Sequence, residues 1–169
     1  MTDPQNIALP LHLSKAPDMT SAMLAAEETR FTLPQFNEET ALALGRILVN
    51  LARAERLPVV INIRTADRTL FHAALPGSVP LNDAWARRKS NVALMFQKSS
   101  LLVGTMMREK GSSLANNGLP DADFADHGGA VPIKIRGVGM VAVATVSGLP
   151  QLEDHALVVR VMEALLAAI

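Results

Sequence analysis

Cysteine is absent from this 169-residue sequence, and aromatic residues make up only 4% of it, with one Trp and no Tyr. The missing cysteines exclude disulfides, thiolate nucleophiles, iron–sulfur clusters and cysteine-ligated zinc. So few aromatic rings cannot form a platform on which successive nucleic-acid bases stack. The chain also lacks a net charge of either sign, because 16 basic residues balance 16 acidic ones. We therefore expect no nucleic-acid partner, and electrostatic repulsion does not oppose self-association.

A membrane-spanning segment is also absent from the sequence. The longest apolar stretch, residues 139–146, falls far short of the roughly 20 residues that cross a bilayer as a helix. Residues 1–10 contain no basic residue and no long apolar run, unlike a secretory signal. We therefore expect a cytoplasmic protein with no membrane partner.

Proline is concentrated at the start of the chain, where four of the ten prolines fall within residues 1–37. Proline fixes the backbone and lacks an N–H, so long regular elements are not expected there. This segment is predicted to be an N-terminal arm with a short helix around residues 21–29, lying on the domain or on a neighbouring subunit. Its apolar anchors are Leu9, Leu11, Leu13 and Met23.

Residues 38–169 have the pattern of one domain, with 49% apolar residues in the chain as a whole. Helical and alternating hydrophobic periods predict the elements. In order, these are helix 38–56, strands 59–64 and 69–75, helices 81–98 and 99–110, strands 131–136 and 140–146, and a last helix opened by Pro150. Asn37 and Asn82 are the predicted N-caps of the first two helices. Because the strands come in hairpins, the sequence predicts an α/β (α+β) fold with a largely antiparallel single sheet and helices packed on its faces.

The helix predicted over residues 81–98 places two cations in an apolar stripe. The stripe consists of Leu81, Trp85, Val92 and Phe96. Arg88 and Lys89 fall within it, although an apolar surface is a costly place for a charge. Each cation could extend to solvent or form a structural ion pair. Alternatively, the two could form the cationic wall of a pocket for an anionic ligand, with Trp85 beside them.

A turn-forming segment, residues 112–129, ends in Asp126-His127-Gly128-Gly129. The two glycines allow the backbone to approach a ligand or another chain closely. His127 could serve as a haem or metal ligand or as an acid–base group. The alternative is a tight turn with an exposed histidine. The glycine pair matches neither GxGxxG nor a P-loop.

A third candidate segment, residues 147–150, connects the last strand to the last helix. Free N–H groups at this helix start could bind an anion, with Ser147 beside them. Alternatively, Glu153 and Asp154 neutralise the helix dipole. His155 could pair with a neighbouring carboxylate. No HxxH, HxH or HExxH spacing links the four histidines, so we predict no metal site.

Several of these motifs occur together in one order. They are Trp85-x-x-Arg88-Lys89, Ser99-Ser100, His127-Gly128-Gly129-Ala130-Val131-Pro132-Ile133, and Val146-Ser147-Gly148-Leu149-Pro150-Gln151 followed by Asp154-His155. From about Phe36 to the C-terminus, the chain resembles a branch of the haem-degrading-domain superfamily, related to haem-binding proteins of secretion and to a protein of the glycolate locus. The resemblance implies a profilin-like fold, homo-oligomers, and binding of haem or another anionic small molecule. The shared positions are Lys89, Gly128, Gly129, Pro132, Gly148 and Asp154.

Three functional hypotheses follow. The first is an oligomeric ligand-binding protein without strong catalysis. Its candidate ligand-binding residues are Trp85, Arg88, Lys89, His127, Gly128, Gly129, Ser147 and His155. The second is an enzyme acting on haem or a small acid, with His127 or His155 as the general base. The third is a scaffold or protein-interaction subunit that uses the arm and the surface helices.

Overall fold

The computed structural model describes residues 19–168. The first 18 residues of the predicted arm, which include His12 and three of its four leucine and methionine anchors (Leu9, Leu11 and Leu13), lie outside the described residues, as does Ile169. The elements in chain order are α1 (Ser21–Glu28), β1 (Thr32–Leu33), α2 (Glu38–Ala54), β2 (Val60–Arg64), β3 (Thr69–Ala74), α3 (Pro80–Phe96), α4 (Ser100–Glu109), a 3₁₀ turn (Ala115–Asn117), β4 (Ala130–Ile135), β5 (Gly139–Ser147) and α5 (Gln151–Ala168). Within residues 19–168, every helix is too short or too polar to span a bilayer.

The five strands form one sheet in the order β1-β4-β5-β2-β3. The pairs β4–β5, β5–β2 and β2–β3 are antiparallel, and β1 pairs with β4 in parallel. The predicted α/β fold with a largely antiparallel sheet is therefore confirmed, including both hairpins. Strand β5 lies at the centre of the sheet because its side chains are apolar on both faces.

The two faces of the sheet have different partners. One face packs on α2 and α5 around a large aliphatic core that includes Ile61, Ile133 and Val146. The side chains of the alternate residues point to the other face, where α3 lies across β2, β4 and β5. That face is more polar, and there the Nε of Arg64 donates to the Oγ of Ser90 over 3.0 Å. The polar face carries the candidate site.

Helix α2 follows the sequence prediction closely. The Asn37 side chain caps it by accepting from the N–H of Thr40 over 3.0 Å. Glu38 and Glu39 occupy its first turn, where the helix dipole favours negative charge. The predicted apolar stripe is buried: Leu44, Ile47, Leu48 and Leu51.

The start of α3 differs from the prediction. The helix begins at Pro80, and the side chain of Asn82 accepts from the N–H of Val79 over 2.8 Å, so Asn82 is the third helical residue and not the N-cap. Leu81, predicted to lie in the buried stripe, is 62% exposed. The buried face is formed instead by Ala86, Lys89, Ser90, Val92 and Ala93. At 100° per residue, the centre of this buried face lies about 100° around the helix from Leu81. The small residues Ala86, Ser90 and Ala93 let this face approach the sheet closely.

Strand β1 was not predicted, because two residues are too few to show an alternating pattern. It pairs in parallel with Lys134 and Ile135 of β4. Just before it, α1 packs on α4. The buried carboxylate of Glu28 accepts from the N–H of Ser99 over 2.6 Å and from the Nζ of Lys134 over 3.2 Å. Residues 19–33 thus lie against the sheet edge and α4.

Gly45 of α2 allows a close contact with β3. A Cβ atom at this position would overlap the ring of Phe71. Helix propensity alone would make Gly45→Ala stabilising by about 1 kcal/mol. Overpacking against the ring costs about 1–3 kcal/mol. We therefore expect Gly45→Ala to lower the free energy of unfolding, measured by urea denaturation.

The matched control places the same change in a Phe71→Ala background, because leucine would keep the Cγ and Cδ atoms that a Cβ at position 45 meets. The ring is then gone, so Gly45→Ala should raise stability, as helix propensity predicts. Stabilisation by Gly45→Ala in the wild-type chain would contradict this packing.

Candidate functional site

A pocket of about 220 Å³ opens on the polar face of the sheet, where α3, the end of β5 and the start of α5 meet. Two buried charged residues, Lys89 and Asp154, belong to its lining. The other lining residues are Asn82, Trp85, His127, Ser147, Gly148, Leu149 and Gln151.

The ammonium group of Lys89 is fully occupied. It donates to the Oδ2 of Asp154 over 2.8 Å, to the carbonyl of Gly128 over 2.9 Å and to the carbonyl of Val146 over 3.0 Å. An ammonium group has three hydrogens, so none remains for a ligand. This geometry matches the structural ion pair that the sequence left open for Lys89, and it joins α3, β5, α5 and the loop before β4.

Asp154 completes the other half of this arrangement. Its Oδ1 accepts from the N–H of Leu149 over 3.0 Å, and its Oδ2 accepts from the N–H of Gly148 over 3.3 Å. The sequence offered the N–H groups of this segment to an external anion. In the structure, the carboxylate of Asp154 takes two of them.

Burial shapes the titration of both groups. Burial raises the pKa of Asp154, against the opposing effect of the Lys89 ammonium and two backbone N–H groups. Burial lowers the pKa of Lys89, against the opposing attraction of Asp154. Each charge is therefore retained in the interior only because the other is beside it.

The two adjacent glycines bring a loop close enough to accept from Lys89. Gly129 has a φ of +133°, and a Cβ atom there would overlap the carbonyl oxygen of Val146. A Cβ atom at Gly128 would overlap the backbone carbonyl of Gln151, whose side-chain Oε1 accepts from the Gly128 N–H over 3.0 Å. The glycines thus pack the loop between β5 and α5, behind the pocket wall.

Trp85 lies between a cation and an imidazole. The guanidinium carbon of Arg88 is 4.5 Å from the Trp85 ring centroid, within cation–π range. The His127 ring meets Trp85 edge-on, with centroids 5.0 Å apart at an interplanar angle of 72°. The side chain of His127 is 52% exposed. These three side chains form one continuous surface beside the pocket.

Arg88 differs from the cations around it. Among residues 19–168 it makes no ion pair, and its Nε is buried without a hydrogen-bond partner. The neighbouring Arg87, in contrast, pairs with the carboxylate of Asp123 over 3.0 Å. Arg88 is therefore a cation whose charge no described carboxylate neutralises.

His155 lies outside the pocket lining but beside Gly128, where a Cβ atom would be 3.3 Å from the Cβ of His155. Its Nε2 is 2.7 Å from the Oε1 of Glu27 in α1, and its side chain is buried outside the pocket lining. It does pair with a carboxylate, but the partner comes from α1 and not from the first turn of its own helix.

Seven of the eight candidate residues lie in or around the pocket, and His155 is the exception. Trp85, Lys89, His127 and Ser147 line the pocket, while Arg88, Gly128 and Gly129 lie directly around it. The sequence-based list lacked Asn82, although its spacing to Trp85 and Lys89 (i, i+3, i+7) places the three on one helix face. It also lacked Gln151 and Asp154, which stand just after the Ser147-Gly148 motif. Within residues 19–168, no group of three or more potential metal ligands occurs.

Comparison with known proteins gives a consistent result. The family model described as haem degrading protein HbpS-like matches residues 36–163. A UPF0303 protein of Streptomyces avermitilis is 50% identical over 141 residues, which are 83% of this chain and 86% of that protein. The crystal structure of Ybr137w protein has a TM-score of 0.82 at 30% identity and covers 90% of each chain. The PduOC:heme complex has a TM-score of 0.63 at 18% identity, covers 79% of this chain and 94% of that one, and shares the fold.

Removal of the Lys89 ammonium group should destabilise the fold, because the buried carboxylate of Asp154 then has no counter-charge. Lys89→Met leaves Asp154 charged and unpaired, so we expect a loss of about 3–5 kcal/mol in unfolding free energy at pH 7. The pKa of Asp154 in the folded variant lies even further above its unfolded value than in the wild type. The loss of unfolding free energy is therefore complete above the pKa of Asp154 in the folded variant. It becomes smaller as the pH falls through that pKa, because the carboxylate is then protonated in the folded state too. Urea denaturation between pH 7 and pH 4 should show the difference from wild type shrinking.

The matched control is Lys89→Met combined with Asp154→Asn. The amide is uncharged, and its oxygen can still accept from the N–H of Leu149, so the double variant should be more stable at pH 7 than Lys89→Met alone. A difference between Lys89→Met and wild type that does not change with pH would contradict the ion pair.

Proposed function

The chain belongs to the HbpS-like family of haem-degrading proteins, and we propose that it is a ligand-binding protein whose pocket beside Trp85 receives the carboxylate-bearing part of haem or of another anionic small molecule. One observation carries this proposal: the Arg88 guanidinium, without a described acidic partner, lies over the Trp85 ring at the pocket.

The charges around the pocket favour an anion at Arg88. Lys89 is neutralised by Asp154 and Arg87 pairs with Asp123. Arg88 is thus the nearby cation that can bind an incoming carboxylate. A guanidinium binds carboxylates through two parallel hydrogen bonds.

The size of the pocket limits how much of a ligand it can enclose. At about 220 Å³, it lies below the roughly 300–1,000 Å³ of sites that enclose drug-sized ligands. The pocket therefore suits one edge of a macrocycle, such as a haem propionate, or the whole of a small acid. Asn82, Ser147 and Gln151 supply polar groups in its wall.

Haem is the ligand that the family membership favours. A neighbour with the same fold was solved as the PduOC:heme complex. In this chain, the half-exposed imidazole of His127 would be the side chain that binds haem iron. Arg88 would hold a propionate, and the Trp85 ring would pack against the macrocycle. The bound group would supply its iron chemistry, while these residues bind and orient it.

The single Trp makes the proposal directly testable. Because Trp85 is the only Trp of the chain and lines the pocket, its fluorescence reports on this site alone. We expect haemin to quench it saturably, with a Soret band that changes on binding. Arg88→Met should weaken the affinity at least tenfold, as expected for loss of a charged hydrogen bond.

Arg87→Met is the matched control, because Arg87 is adjacent in sequence but pairs with Asp123 away from the pocket. It should leave the affinity within about twofold. Equal weakening by both substitutions, or quenching that never saturates, would contradict the site. A parallel titration with succinate separates the two ligand classes, since saturable quenching by succinate but not by haemin would favour a small acid.

Self-association is part of the same proposal. Three large apolar residues on or beside α3 are more than half exposed: Val79, Leu81 and Met95. The net charge of zero does not oppose contact between copies. We expect light scattering to give a mass above that of one chain at micromolar concentration. A mass equal to one chain over the whole concentration range would contradict the oligomer.

A further inference from the structure

A second cleft lies between the end of α2 and the end of β3, with a volume of about 330 Å³. Its lining residues are Ala52, Arg53, Arg56, Leu57, Leu75 and Pro76. It shares no residue with the pocket at Trp85. The wall is therefore aliphatic, with two arginines as its only charged members.

The two arginines are not neutralised by the described part of the chain. Both are exposed, and within residues 19–168 neither guanidinium forms a hydrogen bond or an ion pair. The carboxylate between them in sequence, Glu55, is occupied by the Nη2 of Arg160 over 2.6 Å. Two positive charges thus stand beside an aliphatic cleft without a described counter-charge.

The backbone at Arg56 is unusual for a residue with a side chain. Its φ of +57° lies in the left-handed region, at the position after a helix end where glycine is favoured. The N–H of Leu57 bonds to the carbonyl of Ala52 over 2.8 Å and closes this helix end. A side chain at this φ carries a conformational cost that glycine avoids. Here Arg56 keeps a guanidinium at the cleft where glycine would fit the backbone better.

We propose that this cleft binds an aliphatic carboxylate, with the carboxylate held by Arg53 and Arg56 and the chain packed on Leu57, Leu75 and Pro76. Arginine is the side chain best suited to bind a carboxylate. The wall contains no aromatic ring on which a planar ligand would stack. The volume lies at the lower end of the roughly 300–1,000 Å³ range of ligand sites, which fits a chain of medium length. This inference is independent of the function proposed for the pocket at Trp85.

The test is calorimetric titration of the full chain with hexanoate, octanoate and decanoate. Each buried methylene should tighten binding about fourfold, so two methylenes should give about fifteenfold. Octanol has the same chain without the charge and should bind at least tenfold more weakly than octanoate. Absence of chain-length dependence, or equal binding of octanol, would overturn the proposal.

Substitution of the strained residue separates binding from folding. Arg56→Gly should weaken octanoate binding at least tenfold, while the melting temperature stays the same or rises because glycine accepts this backbone. The control is Gln97→Gly, which relieves a similar φ of +54° at the end of α3, outside the cleft. It should leave octanoate binding unchanged.

Two further variants keep the proposal falsifiable. If Arg56→Gly fails to fold, Arg53→Met should still reduce octanoate affinity with an unchanged melting temperature. Trp85→Phe should have no effect on octanoate binding, since Trp85 lies outside this cleft. Unchanged affinity in both arginine variants, or loss of affinity in Trp85→Phe, would place the ligand elsewhere and refute the inference.

Discussion

The rest of the candidate site depends on one buried ion pair, between Lys89 and Asp154. The ammonium of Lys89 contacts the carboxylate and two backbone carbonyls, and the carboxylate in turn accepts two backbone N–H groups. Through these five hydrogen bonds, α3, the end of β5, the start of α5 and the loop before β4 have fixed positions relative to each other. A hydrophobic substitute could fill the same space, but it would leave those backbone groups unpaired in the interior.

The residues of the site fall into two groups, a framework around this ion pair and a set of side chains that face outward. Lys89, Asp154, Gly128 and Gly129 use their polar groups or their lack of a side chain to hold the framework together. Trp85, Arg88 and His127 lie on top of it, and their polar groups are only partly engaged with the rest of the chain. Most of the motif residues that indicated the superfamily therefore belong to the framework, so the motif is informative about the fold and much less informative about the ligand.

The sequence predicted those parts of the fold that depend on local patterns. Alternation and turn residues gave the two hairpins, and the stripe from Leu44 to Leu51 gave α2 with its Asn37 cap. Strand β1 was missed because two residues carry no pattern. The exposure of Leu81 was missed because small residues, which add little to an apolar stripe, determine which face of α3 is buried.

The sequence predicted which residues belong to the site better than it predicted what each of them does there. The sequence marked Lys89 as a cation in an apolar stripe, but its acceptors are the backbone carbonyls of Gly128 and Val146, which are 39 and 57 residues away. Backbone atoms leave no signal in residue identity. In the same way, His155 pairs with Glu27, 128 residues earlier, in a segment that showed no pairing pattern. Tertiary contacts of this range had to come from the structure.

The backbone donors along the outer edge of β4 determine whether another strand could pair with it. The Oγ of Ser100 accepts from the N–H of Ala130 over 3.0 Å and donates to the Ala130 carbonyl over 3.4 Å, while β1 covers the edge at Lys134 and Ile135. The residue between them on that side, Pro132, has no N–H to donate. Within the described residues, this edge thus offers almost no free donor to a further strand, which is how native sheets avoid uncontrolled growth into fibrils. Within the described residues, a neighbouring copy that contacts β4 on this side therefore meets side-chain surfaces more readily than free backbone donors.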